Sequence, residues 1–210
     1  MGGVTGQTIG FETGFEANQP VTDVTTENNT VTLSVGDGPG GNEQPVVAAV
    51  GGPRDAFQPD DGAGAPFQDQ IGSFVLGDGD TEASGLVARD YSLRFERPVE
   101  GVQLDLLDFR ADGGGSPGDT VQLVTYSDLF DTRVGVDTFE VSDGLPDPNL
   151  ETLTVDEPSE PIRSAALVFE GEGDTGTAID NIGFTQDDGS SDTGSGWSIE
   201  PVDADRPEGD

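Results

Sequence analysis

The chain has 210 residues, 42 of them acidic and 8 basic, for a formal charge of -34. Every basic residue is arginine, and histidine, cysteine and lysine are absent. That inventory removes histidine-based triads, thiolate nucleophiles, zinc clusters and the lysine-dependent phosphate loop or Schiff base, leaving paired carboxylates as the remaining catalytic option. Its sign also opposes a nucleic-acid partner.

The 32 glycines and 14 prolines separate short runs rich in Val, Thr, Phe and Leu, which is all-β punctuation. In chain order the pattern predicts strands over 7–16, 30–35, 45–50, 71–76, 91–97, 99–108, 120–126, 133–141, 150–155, 162–169 and 177–185. So many short strands suit two packed sheets. The long segment between Val50 and Ile71 is predicted as a loop, its Phe57 and Phe67 stapling it onto the sandwich or stacking on a ligand. Asp78, Asp80 and Glu82 alternate along a glycine-rich turn, a spacing that suits a hard cation and equally suits ordinary turn chemistry.

Tyr91, Leu93 and Phe95 share one strand face, and Ser92, Arg94 and Glu96 the other. From Val102 to Leu106 the alternation is regular. Leu107 and Phe109 then continue on the opposite phase, which predicts a bulge near Leu106. Stretches 121–126 and 162–169 are apolar on both faces and are predicted to be central strands, or strands buried at an interface. Glu172, Asp174 and Asp180 form a late acidic group. From Asp187 onward the composition becomes that of a flexible polar linker, followed by Trp197, Ser198 and Ile199. The chain thus divides into a β-sandwich over 1–186 and an acidic Gly/Ser-rich tail over 187–210, flexible or docked. Trp197 and Ile199 are the partner-binding candidates, anchoring the tail on its own sandwich or on a neighbour; the alternative is a solvated tail.

At low ionic strength this charge opposes compaction, yet periodic apolar residues require a fold. Screening reconciles the two, because the Debye length falls to roughly 3 Å at about 1 M salt. An acidic surface with arginine in place of lysine resembles halophilic, haloarchaeal proteins. The alternative, an acidic disordered chain, conflicts with the periodicity over 1–186.

Three stretches carry a further resemblance: Ile9-Gly10-Phe11-Glu12, Leu93 through Asp105, and Ala178-Ile179-Asp180-Asn181-Ile182-Gly183-Phe184. Together they are similar to jelly-roll β-sandwiches of carbohydrate-binding modules and of surface proteins with PEP-CTERM-type sorting signals, over about residues 7–186. The resemblance implies a structural calcium held by a first-strand acid and the closing Asp, which nominates Glu12 and Asp180, with Glu16 as a further ligand. The other reading of Asp180 is a turn cap. Sugar-binding modules also present aromatic platforms, whereas Tyr91 and Tyr126 fall within strand patterns and Trp197 lies in the tail.

No apolar run approaches the roughly 20 residues of a membrane span, and Met1-Gly2-Gly3-Val4 lacks the features of a signal peptide. The expectation is a non-enzymatic structural or attachment protein of a halophilic archaeal virion surface: a turret, decoration or fibre-like component. It would assemble as a homo-oligomer or with capsid neighbours and contact a cell-surface glycan or glycoprotein, without nucleic acid and without membrane insertion. The alternative is a carbohydrate-binding domain of an extracellular or cell-surface haloarchaeal protein. A carboxylate-based glycosidase or lyase is the third class.

Overall fold

The computed structural model describes residues 4–36, 39–50, 72–77, 90–107, 119–140, 150–170 and 178–187. Twelve strands are found there: β1 (Val4–Ile9), β2 (Asp23–Thr25), β3 (Thr30–Gly36), β4 (Val46–Ala49), β5 (Phe74–Gly77), β6 (Asp90–Val99), β7 (Gly101–Leu107), β8 (Thr120–Tyr126), β9 (Arg133–Glu140), β10 (Leu150–Val155), β11 (Ile162–Glu170) and β12 (Ala178–Asp187). They form two sheets. The first runs β10-β7-β12-β5-β4, with β1 also on β12; the second runs β2-β3-β6-β11-β8-β9. The pairings are antiparallel throughout, so alternate residues face the opposite sheet. This is the all-β, jelly-roll-like two-sheet sandwich that the punctuation predicts.

The inward faces make one core. Val31, Leu33, Leu93, Phe95, Leu123 and Leu167 of the second sheet meet Val102, Leu104, Ile179 and Phe184 of the first. Phe95 and Phe184 pack across the gap with ring centroids 5.5 Å apart, tilted by 58°. Tyr91 reaches from β6 to donate to the Leu76 carbonyl at 3.4 Å, joining the sheets. Near the other end, Asn29 Nδ2 donates to the Arg97 carbonyl at 2.9 Å and the Arg97 amide donates to Asn29 Oδ1 at 3.0 Å, with the Gln186 carboxamide set against Asn29 and the Arg97 guanidinium. The buried Asn29 amide is thereby satisfied on both its nitrogen and its oxygen.

The two strands with apolar residues on both faces are interior: β11 lies between β6 and β8, and β8 between β11 and β9. Their second faces form a small outer cluster of Val124, Tyr126 and Ala166, with Phe130 and Val168 packed on it.

Three expectations are corrected. The first strand stops at Ile9 instead of running to residue 16, and the chain then enters a loop that holds left-handed Gly14 (φ 85) and Asn18 (φ 68). That loop hydrogen-bonds to β4 through Asn18 N and the Val47 carbonyl at 2.8 Å. Strand β2 was not predicted, because Asp-Val-Thr is too short to show a period.

The ladder through Leu106 and Leu107 is continuous, so no bulge occurs there. Both leucines are buried because both faces of the sheet are covered at this point: Leu106 joins the core, and Leu107 packs with Ala48, Val75 and Ala178 on the outer side. The bulge sits instead in β12, between Asp180 and Gly183. Phe57, Phe67, Asp78, Asp80, Glu82, Phe109, Glu172, Asp174, Trp197 and Ile199 lie outside the described residues.

Candidate functional site

The β12 bulge shapes an acidic site. Asp180 on β12 is the ladder partner of Asp105 on β7, so both side chains leave the sheet on the same face. The extra residue, Asn181, takes a left-handed conformation (φ 46) and turns its Nδ2 to donate to Asp105 Oδ2 at 2.9 Å. Thr152 Oγ1 donates to the other oxygen of Asp105 at 2.6 Å.

Asp180 has no such completion. It is only 2% exposed, and its Oδ1 has no hydrogen-bond partner. Burial pushes its carboxyl up to about 7; the Asn181 amide opposes the shift, and the charges of Asp105 and Glu12 add to it.

Glu12 arrives from the loop after β1. Its exposed carboxylate is fixed, because Oε1 accepts from the Ser73 amide at 2.7 Å and from the Phe74 amide at 2.8 Å, at the start of β5. Gly72 makes room for it, having φ +66 and so little space that an added Cβ would stand 2.3 Å from the Glu12 carboxylate. The structure therefore brings Glu12 and Asp180 into one electrostatic neighbourhood and adds Asp105, which the resemblance did not nominate. Glu16 is exposed, its amide donating to Gln19 Oε1 at 2.9 Å, and it is not among the charges that act on Asp180.

The donor set can be tested for a cation. Among the described residues no three acidic side chains gather at metal-centre spacing. The buried, unpartnered Asp180 Oδ1 and the Glu12 carboxylate whose charge acts on it are the oxygens on which a hard cation such as calcium would draw, together with backbone carbonyls. Asp180 and Glu12 are the residues that would hold it. A bound ion would neutralise the desolvated carboxylate and tie the loop after the first strand to the last strand.

A second feature lies on the outer face of the second sheet. The ladder Thr32–Arg94–Ser164–Tyr126 crosses that face from β3 to β8. Two loops fold over it. Residues 40–44 return beside β3, where Val35 and Glu43 exchange amide bonds of 3.0 and 3.1 Å, and Gly40 N donates to Ser92 Oγ at 2.8 Å.

The β8–β9 loop comes from the other side. Asp128 accepts from the amides of Asp131 (2.9 Å) and Thr132 (3.0 Å) and from the Thr132 hydroxyl (2.8 Å), which holds its carboxyl below the usual range. The Phe130 amide donates to Ser164 Oγ at 3.2 Å, and its ring meets Gly40 and Tyr126. Phe130 has φ 68, a strained value for a bulky residue, held by these contacts.

Between the loops lies a groove of about 390 Å³, lined by Thr32, Ser34 and Arg94 of the sheet, by Asn42 and Gln44 of one loop and by Leu129 of the other. Leu129 is 60% exposed. The sequence carried one local signal of this loop, the Ser127-Asp128 turn pair before an apolar Leu-Phe step; the groove itself joins positions far apart in the chain.

No protein-family profile matches the chain, and no curated protein sequence matches it. Among solved structures it is similar to a cleaved adhesin domain of Lys-gingipain, with a TM-score of 0.47 and 17% identity, covering 86% of this chain and 98% of that one. It is also similar to a family 29 carbohydrate-binding module from Piromyces equi (TM-score 0.36, 11% identity, 87% and 91% coverage). A family 11 carbohydrate-binding module from Clostridium thermocellum, solved with a β-1,3-1,4-mixed-linked tetrasaccharide, gives a TM-score of 0.29 at 10% identity, with 85% and 94% coverage. None of these three reaches a TM-score of 0.5, and no residue role passes from them to this chain.

Proposed function

We propose that this domain is a non-enzymatic attachment module that works in concentrated salt and holds a glycan-bearing surface partner in the groove of the second sheet. The observation that carries the reading is the groove: hydroxyl and carboxamide groups line it, and a hydrogen-bonded loop holds an exposed leucine at its rim. Polar groups that fix orientation beside apolar contact surface are what a small-ligand site needs. Glu43 is the one acidic side chain among the described residues that line it, whereas carboxylate-based glycoside hydrolysis takes a pair.

Glycan-array binding in molar KCl tests the reading, with Leu129→Ser as the comparison. Binding that weakens in the variant supports it, and a parent protein that retains no glycan abandons it. The setting proposed from the sequence is a halophilic virion surface, with Trp197 and Ile199 anchoring neighbouring subunits and calcium as a structural ion. A haloarchaeal cell surface is the alternative. Mass spectrometry of purified virions against envelope fractions distinguishes the two.

A further inference from the structure

We infer that the groove selects a carboxylated sugar, a hexuronate unit of an acidic polysaccharide, whose carboxylate pairs with Arg94; the inference rests on the attachment reading above. Arg94 projects from the middle of β6 onto the outer face and is exposed. Among the described residues it makes no ion pair and no side-chain hydrogen bond, unlike Arg97, whose Nη1 donates to the Asn28 carbonyl at 3.2 Å. Among the described residues, a guanidinium that lines a groove with no carboxylate paired to it is an anion receptor left open.

The rest of the lining matches a sugar better than a peptide. Ser34, Asn42 and Gln44 offer both donors and acceptors to ring hydroxyls and Thr32 Oγ1 an acceptor, and Gln44 Nε2 is steadied by Thr22 Oγ1 at 2.8 Å. Leu129 supplies an apolar rim for the C–H face of a pyranose.

The acids around Arg94 limit how much negative charge is accepted. Glu43 lines the groove, Asp23 accepts the Thr32 hydroxyl at 2.7 Å, and Glu96 follows on the same strand face. With a net charge of -34, the protein repels a polyanion at low ionic strength. As the screening length shrinks from about 30 Å at 0.01 M salt to about 3 Å at 1 M, that long-range repulsion fades faster than the contact attraction weakens. Affinity for the uronate therefore rises with salt.

The test is calorimetric titration of the full chain in molar KCl with EDTA, which removes divalent bridges. The probes are an oligogalacturonate, the corresponding neutral galacto-oligosaccharide and an oligoglutamate peptide. The expected result is that the uronate binds at least about tenfold more tightly than the neutral sugar, with Arg94→Ala abolishing that margin and Arg94→Lys keeping part of it. Val136→Ser, on the exposed edge strand, leaves it unchanged, and circular dichroism confirms the fold of each variant.

Equal binding of the neutral sugar, an unaffected Arg94→Ala variant, or affinity that falls with salt overturns the uronate assignment while leaving the attachment reading in place. Oligoglutamate binding as tight as the uronate overturns it in favour of an acidic peptide. If neither sugar binds, the attachment reading fails first. Should Arg94→Ala not fold, Arg94→Lys and the salt series decide.

Discussion

Asp180 faces Asp105 directly across the β7–β12 ladder, and the two carboxylates have opposite fates: Asp105 has a hydrogen-bond donor on each oxygen, whereas Asp180 Oδ1 has none. A buried carboxylate in that condition either keeps its proton or acquires a cation.

If a cation completes the site, calcium raises the melting temperature of the protein in constant KCl, and chelation lowers it. Linkage gives about 2.7 kcal/mol when free calcium is a hundredfold above Kd. Asp180→Asn and Glu12→Gln are expected to erase the calcium-dependent increment, whereas Glu16→Gln retains it. A parent protein indifferent to calcium removes the ion from the account.

Without metal, the proton is the issue. The Asp180 carboxyl is pushed from 3.8 to about 7 in the folded protein, so the folded state holds this proton more tightly than the unfolded chain. The resulting stability is fully present below the ordinary carboxylate value and is lost as pH rises through about 7. Denaturation in EDTA across this window is expected to show stability falling by up to about 1.4 kcal/mol per pH unit relative to Asp180→Asn. Parallel pH profiles of parent and variant contradict it.

Gly72→Ala combines a left-handed backbone with a Cβ placed 2.3 Å from the Glu12 carboxylate. The expected cost is on the order of 1–3 kcal/mol. A double-mutant cycle with Glu12→Ala separates the two causes: the steric part disappears in the Glu12→Ala background and the backbone part persists. Additive effects would show that the carboxylate has room to move.

Ionic strength acts on the whole molecule. Lowering KCl from about 1 M to about 0.1 M lengthens the screening distance from roughly 3 to roughly 10 Å, and repulsion among surface carboxylates grows. With a charge of -34 on 21.7 kDa, the melting temperature is expected to fall steeply over that range and near-UV circular dichroism to collapse at the low end. A salt-independent transition would contradict the halophilic reading.

Much of the sandwich could be read from period-2 alternation, because a strand with one face on a core and one in water prints that pattern on its residues. Tyr91, Leu93 and Phe95 are buried as expected, and β8 and β10 match their predicted bounds. Leu106 and Leu107 misled because consecutive buried residues imitate a bulge when both faces of a sheet are covered. The true bulge, at Asn181, leaves no apolar signature, since it depends on a side-chain bond to a residue 76 positions away. The resemblance nominates Glu12 and Asp180 but not Asp105: as one acid among 42, Asp105 gains meaning only from its register opposite Asp180. The groove was illegible for the same reason, since Asn42, Arg94 and Leu129 meet only through the second sheet.

Strands β1 and β12 pair antiparallel, with Val4 beside Asp187. A pull applied between these two points is directed along the ladder rungs, so it would open β1 from β12 one bonded pair at a time, with no rung sharing strain with the next. A pull entering at Asp187 alone is carried by β12 into β7 as well, so it is spread across the sheet instead of concentrated on that seam.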